Sequence, residues 1–317
     1  MRKLNILYTA LFFCFIFFIF SNWFLAPQII GGDWPYIFEE TLENYSFYFS
    51  SWNPFAGNGF GGMSLFYSLG VFHGFTVFLS LMLHVSWPII YKFSWFGLFI
   101  GLSVFSSMFL LKAVLPGLKF WQHILASAVF STNTYILMVV SGGQMGVALS
   151  YSIAPLVLAR FIKLVDNVVK SNKNFQFSIF NFKLSLLGGL FLAIEVMFDP
   201  RIAYLTMIAV AIYLALNLKR GILNIFFLLL YSLVIPIAIA ILLHIAWILP
   251  LLFLQSNPDP QGLTSVDGFR FLSFADFSQS ISLLHPNWPE NIFGKVYFMK
   301  SEFLMLPILA YSSLLFI

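Results

Sequence analysis

Residues 5–25 read NILYTALFFCFIFFIFSNWFL, and the charged start Met1-Arg2-Lys3 precedes them by one residue, Leu4. At about 1.5 Å of rise per residue, roughly 20 apolar residues cross a hydrocarbon layer of about 30 Å. The run is longer than the apolar region of a signal peptide, and no small-residue cleavage site follows it. It is therefore expected to be a retained signal-anchor span with the N-terminus on the cytoplasmic side.

The rest of the chain repeats this pattern. Hydrophobic residues make up 60% of the 317 and charged residues 9%, with a mean hydropathy of +0.92. A soluble domain carries about a quarter charged residues, so the polar surface here is too small to cover a water-soluble globule. The net charge of +4 does not point to nucleic acid. The basic residues sit at the ends of apolar runs, densest from Arg160 to Lys183, as in cytoplasmic loops of membrane proteins. The single cysteine, Cys14, excludes an intrachain disulfide and a thiolate metal site.

Apolar windows occur at roughly 5–25, 65–86, 90–111, 121–141, 144–164, 184–198, 202–217, 223–254 and 299–317. The loop 27–63 holds Asp33, Glu39, Glu40 and Glu43 and no Lys or Arg, which places it outside; Lys112, Lys119, Lys163, Lys170, Lys173 and Lys183 mark inner loops. Between that outer loop and Lys112 the chain must cross an odd number of times, so one of the windows 65–86 and 90–111 does not span. The weaker is 65–86, with Gly70, His73 and His84, which reads as a re-entrant or interfacial helix on the outer side. His73 and His84, eleven apart, would share a helix face. The run 223–254 reads as one long tilted helix bent near Pro236. The expected fold is an all-α polytopic membrane protein of about eight transmembrane helices plus the outer-side helix. It forms one domain over 1–317, with outer loops at 27–63 and 256–298. The last apolar run stops at Ile317 in mid-pattern, which predicts continuation in a longer protein.

Three places can carry chemistry. The first loop contains Gly31-Gly32-Asp33-Trp34, Glu39-Glu40 and Trp52-Asn53-Pro54-Phe55-Ala56-Gly57-Asn58-Gly59. A carboxylate held near the membrane surface can act as a general base or bind a divalent cation at a lipid phosphate. Equally, the acids can be solvent-facing markers of an outer loop, with Trp34 and Trp52 as interfacial anchors. The second place is Glu195, Asp199 and Arg201 at an outer helix end. One reading is an outer-leaflet cavity in which Arg201 forks a phosphate; the other is a Glu195 hydrogen-bonded between helices, with Asp199 capping the helix that starts at Pro200. The third is His285-Pro286-Asn287-Trp288-Pro289 in the second outer loop. Asn44-Tyr45-Ser46 is a nominal glycosylation acceptor. No phosphate-binding P-loop, dinucleotide fingerprint, nucleophile elbow or zinc-protease helix is present, which removes soluble-nucleotide chemistry.

A first span, an outer loop opening on Gly32-Asp33, and then Trp52-Asn53-Pro54-Phe55-Ala56-Gly57-Asn58-Gly59 together resemble the polytopic GT-C glycosyltransferases, nearest their YfhO-type and arabinofuranosyltransferase-like branch. The Ser141-Gly142-Gly143 turn, Asp199-Pro200-Arg201, and Trp247-Ile248-Leu249-Pro250 before a polar loop are similar to that branch too. The resemblance spans nearly the whole chain through short, degenerate motifs. It implies a GT-C-like fold and inverting transfer of a sugar from a polyprenyl-phosphate-linked donor to a glycan, lipid or protein acceptor of the cell envelope, on the outer face of the plasma membrane. In its terms Asp33 is the catalytic carboxylate, with Glu39 and Glu40 as weaker alternatives. Asp199, Arg201, Glu195, Trp34, Trp52 and His285 would contact substrate. Asp33 and Asp199 would be the ligands of a divalent cation (Mg or Mn). Many members carry a carboxylate pair in the first loop; here Trp34 follows Asp33. The rival readings are a transporter or flippase of lipid-linked glycans that uses Glu195, and a non-catalytic subunit of an envelope glycan assembly complex.

Overall fold

A computed structural model describes residues 2–25, 42, 52–53, 62–63, 67–171, 179–217 and 222–253. In chain order the elements are α1 (Arg2–Leu25), β1 (Trp52–Asn53), β2 (Gly62–Met63), α2 (Tyr67–Leu83), α3 (Trp87–Lys92), α4 (Leu98–Val114), α5 (Phe120–Thr132), α6 (Thr134–Ser141), α7 (Met145–Ser171), α8 (Ile179–Phe198), α9 (Pro200–Leu216), α10 (Ile222–Leu229) and α11 (Ile235–Phe253). Five stretches among the described residues are long and apolar enough to cross a membrane: Leu4–Leu25, Trp87–Val114, Met145–Val169, Ile179–Phe198 and Ile225–Leu249. The chain is a multi-pass, helical membrane protein. The short antiparallel pair Trp52↔Met63 and Asn53↔Gly62 joins the two edges of the glycine-rich stretch 54–61.

Each helix is placed by a narrow face. On α1, Phe12, Ile16 and Phe20 are buried at every fourth position, whereas Phe13, Phe17 and Phe18 are exposed apolar surface of the kind lipid covers. That buried stripe sets α1 antiparallel to the stretch Trp87–Val114, because ring contacts pair Phe24 with Phe93 (5.9 Å), Trp23 with Phe96 (4.7 Å) and Phe20 with Phe99 (6.1 Å). Lys92 Nζ donates to Phe24 O at 3.0 Å, so a cation satisfies a carbonyl at the C-terminal end of α1, where the helix supplies no N–H donor of its own.

Small hydroxyl residues let the central helices approach. Ser103, Ser106 and Ser107 of α4 are buried. Ser106 Oγ donates to Ser152 O on α7, and Ser107 Oγ bonds Ser127 Oγ on α5 at 2.9 Å. In an apolar bundle such short side chains replace hydrophobic drive with close contact and hydrogen bonds. With Ser106 level with Ser152 and Phe109 level with Arg160, α4 and α7 run parallel. α8 runs antiparallel to α7, with Phe198 O beside Gly146 and Phe161 and Leu164 beside Gly188. α11 runs parallel to α8, since Gly189 faces Pro236 and Ile239, and Ala193 faces His244.

Several expected boundaries shift. The window 121–141 is not one helix: it breaks at Asn133, which is extended at φ −65° and ψ 155°. The Asn133 amide nitrogen donates to Phe130 O at 2.8 Å and Tyr151 OH at 2.9 Å, and its oxygen accepts from Ile136 N at 3.1 Å. One side chain thus ends α5 and starts α6. Near Pro236, where a bend is expected, the helix carries a π-turn, Leu230–Val234. Widening the ladder there accommodates the proline's missing N–H. A second π-turn, Phe93–Gly97, joins α3 to α4.

α2 makes its contacts at one end of the bundle. Leu69 reaches Gly146, Phe72 lies 5.1 Å from Trp95 and 5.3 Å from Phe198, and His73 lies 5.0 Å from Trp95. The chain then reverses at His84, which has a φ of 50°, with Ser80 Oγ bonded to Val85 O at 2.9 Å. Returning from Trp87 to Trp95, it passes Lys92, the level at which α1 ends. α2 therefore starts level with Trp95 and leads away from the Lys112 end. His84 stands in the turn, so it does not share a helix face with buried His73.

Candidate functional site

α8 ends because Pro200 follows it. The residue before a proline avoids helical backbone, and Asp199 is extended at φ −160° and ψ 115°. Asp199 becomes the N-cap of α9 with Pro200 in the first turn, a favoured pairing. Its Oδ1 accepts from Arg201 N at 2.8 Å. Arg201 then folds back on the same carboxylate, with Nε at 3.1 Å and 3.2 Å from the two oxygens and Nη2 at 2.7 Å from Oδ2. The Asp199 side chain is 8% exposed and that of Arg201 75% exposed. The result is a cation presented at the end of the bundle on a buried carboxylate.

One turn back on α8, Glu195 is fully buried. Thr206 Oγ1 of α9 donates to its Oε1 at 2.5 Å, and its Oε2 is buried with no hydrogen-bond partner. Ser150 Oγ on α7 lies 3.1 Å from both Glu195 O and Asp199 O, so one hydroxyl braces the α8–α9 junction. From α11, His244 Nε2 bonds Ala193 O at 2.8 Å while its Nδ1 lies 2.9 Å from Trp247 Nε1. An indole N–H can only donate, so Nδ1 accepts and the proton sits on Nε2. Tyr135 is close enough to feel the charges of both Arg201 and Asp199, and its ring lies 6.3 Å from Tyr151, which stacks on Phe130 at 4.4 Å.

The structure brings Glu195, Asp199 and Arg201 together, but it divides their roles. The two carboxyls do not share a helix face: Glu195 belongs to α8, while Asp199 has turned into the cap of α9. Arg201 has its Nε and Nη2 on Asp199, which corrects the picture of an arginine fork free for phosphate; only the remaining edge of the guanidinium is open. Asp199, with both oxygens on Arg201, does not fit a metal ligand as it stands. Among the described residues no group of three His, Cys, Asp or Glu converges. Asp33, Trp34, Glu39, Glu40 and His285, and the side chain of Trp52, lie outside the described residues. Ser150, Thr206, His244 and Tyr135 were not singled out in sequence. His244 and Trp247 did carry a signal, a polar pair one turn apart inside an apolar run. Lone hydroxyls carry almost none.

Asp199→Ala is expected to destabilise the protein by about 1–2 kcal/mol through loss of the cap. Asp199→Asn, which can still cap, is expected to cost less than half as much. Thermal unfolding in detergent measures both.

Comparison with protein-family models, with curated proteins and with solved structures returns no match.

Proposed function

We propose that this protein is an inverting glycosyltransferase that takes its sugar from a polyprenyl-phosphate-linked donor at the outer face of the plasma membrane. One observation supports this reading above the others: both flanks of the 26–66 segment reach the bundle end that carries Asp199 and Arg201. α1 ends there at Phe24, under Lys92. α2 begins there, with Leu69 against Gly146 and Phe72 against Phe198, the residue before Asp199. The segment that contains Asp33 thus leaves and rejoins the bundle beside exposed Arg201, whose open guanidinium edge can donate to a phosphate oxygen. The topology proposed with it puts that end outside, α2 on the outer side without crossing, and the Lys112 end in the cytoplasm. The acceptor would be an envelope glycan, lipid or protein. A divalent cation (Mg or Mn) would be held by Asp33 of the first loop, since both Asp199 oxygens are on Arg201.

The test is sugar transfer in proteoliposomes supplied with radiolabelled polyprenyl-phosphate sugars. Transfer by the wild-type chain and its loss in Asp33→Asn support the reading; equal transfer by both sinks the catalytic assignment. A flippase reading is favoured by one feature, the unpartnered Oε2 of Glu195 inside a span. Glu195→Gln keeps an acceptor for Thr206. On the glycosyltransferase reading it is expected to leave transfer within about threefold, less than the tenfold that 1.4 kcal/mol would produce. Loss of lipid-linked glycan translocation with transfer intact would instead establish the flippase.

A further inference from the structure

At the opposite end of the bundle, two cations share one aromatic ring. Arg160 and Lys163 lie one turn apart on α7. The Arg160 guanidinium carbon is 4.8 Å, and Lys163 Nζ 4.2 Å, from the centroid of Phe109 on α4. Arg160 also lies 5.3 Å from the ring of Phe191 on α8. Phe109 stands one turn before Lys112 in the last turn of α4. It is about 25 Å along the helical stretch from Lys92 at 1.5 Å per residue, which is near one edge of a hydrocarbon layer about 30 Å thick.

Neither cation is in an ion pair with a described residue. Among the described residues the only ion pair is Arg201 with Asp199, and Arg160 Nε is buried without a hydrogen-bond partner. Asp166, the next acid along α7, instead accepts from Tyr213 OH at 2.7 Å. A ring face attracts each cation but neutralises neither, and two like charges around one ring repel each other. Lys163 is exposed, so the place is open on one side. At that depth the anion at hand is a phosphate at the head of a lipid.

We propose that the seam of α4, α7 and α8 around Phe109 binds the phosphate of an anionic phospholipid through Arg160 and Lys163. The site lies at the end away from Asp199 and does not depend on the glycosyltransferase reading. It is tested on the purified full-length chain in detergent. Native mass spectrometry follows retained lipid, and thermal unfolding follows stabilisation, with phosphatidylglycerol, phosphatidylcholine or inorganic phosphate added. Phosphatidylglycerol is expected to be retained one per chain and to raise the unfolding midpoint, whereas phosphatidylcholine is not. Lys163→Gln, at an exposed position safe for the fold, is expected to weaken retention about fivefold, the effect of one cation at an anionic headgroup. Arg160→Gln together with Lys163→Gln should weaken it more than tenfold. Equal retention of the two lipids by the wild type would overturn the proposal, as would unchanged phosphatidylglycerol retention in Lys163→Gln. A midpoint shift reproduced by inorganic phosphate at the same concentration would overturn the lipid as its source.

Discussion

Asp33→Asn is expected to lower sugar transfer by roughly 10²–10⁴-fold, the range typical of a lost general base, while expression and the unfolding midpoint stay at the wild-type level. The substitution keeps the shape of the side chain and removes only its charge and basicity. Asp33 follows the end of α1 by about eight residues in a segment whose two flanks return to the Asp199 end. A loss confined to the transfer rate would mark a group that acts in the transition state. A loss of folded protein would instead mark a structural residue. Glu39→Gln and Glu40→Gln serve as comparisons, and each is expected to reduce transfer by less than Asp33→Asn.

Gly189→Val is expected to be strongly damaging to the bundle. A Cβ at Gly189 would stand 2.9 Å from Pro236 O and 2.9 Å from Ile239 Cβ. One of these is backbone and the other the branch point of a side chain, so neither can swing aside. α8 and α11 would have to part, and the His244 bond to Ala193 O, one turn further along α8, would part with them. Overpacking a tight core costs about 1–3 kcal/mol and occasionally more. Gly189→Ala belongs in that range and Gly189→Val above it, read as a fall in the thermal midpoint in detergent. Gly101→Ala is the control. A Cβ there meets nothing within 4 Å, and replacing glycine with alanine in a helix is expected to gain up to about 1 kcal/mol. If Gly189→Val melted like wild type, the close α8–α11 packing would be wrong.

The loop chemistry and the bundle chemistry were legible to different degrees. The span 5–25 and the polar break at Asp199-Pro200 could be read directly, because length and proline sterics act locally. The split at Asn133 was not read: its side chain bonds Phe130 O and Ile136 N locally, but it is also held by Tyr151, on a helix that begins after the next turn. The alternative given for Glu195 and Asp199, an interhelical hydrogen bond and a helix cap, is the arrangement found. Periodicity places both residues near a helix end but does not say that Thr206 is the partner.

From sequence alone it followed that this chain is a multi-pass helical membrane protein, since 60% apolar and 9% charged residues leave too little polar surface for water. The polar stretches at the helix ends followed from the same reasoning, because backbone and charge are excluded from hydrocarbon in a way that depends only on composition and run length. Helix directions, the reversal of α2 at His84, the turning of Arg201 onto Asp199 and the meeting of Arg160 and Lys163 on Phe109 were decided by tertiary structure. Each depends on which faces of two distant helices meet. In lipid that choice is made by small side chains and single hydrogen bonds, whose partners are far apart along the chain.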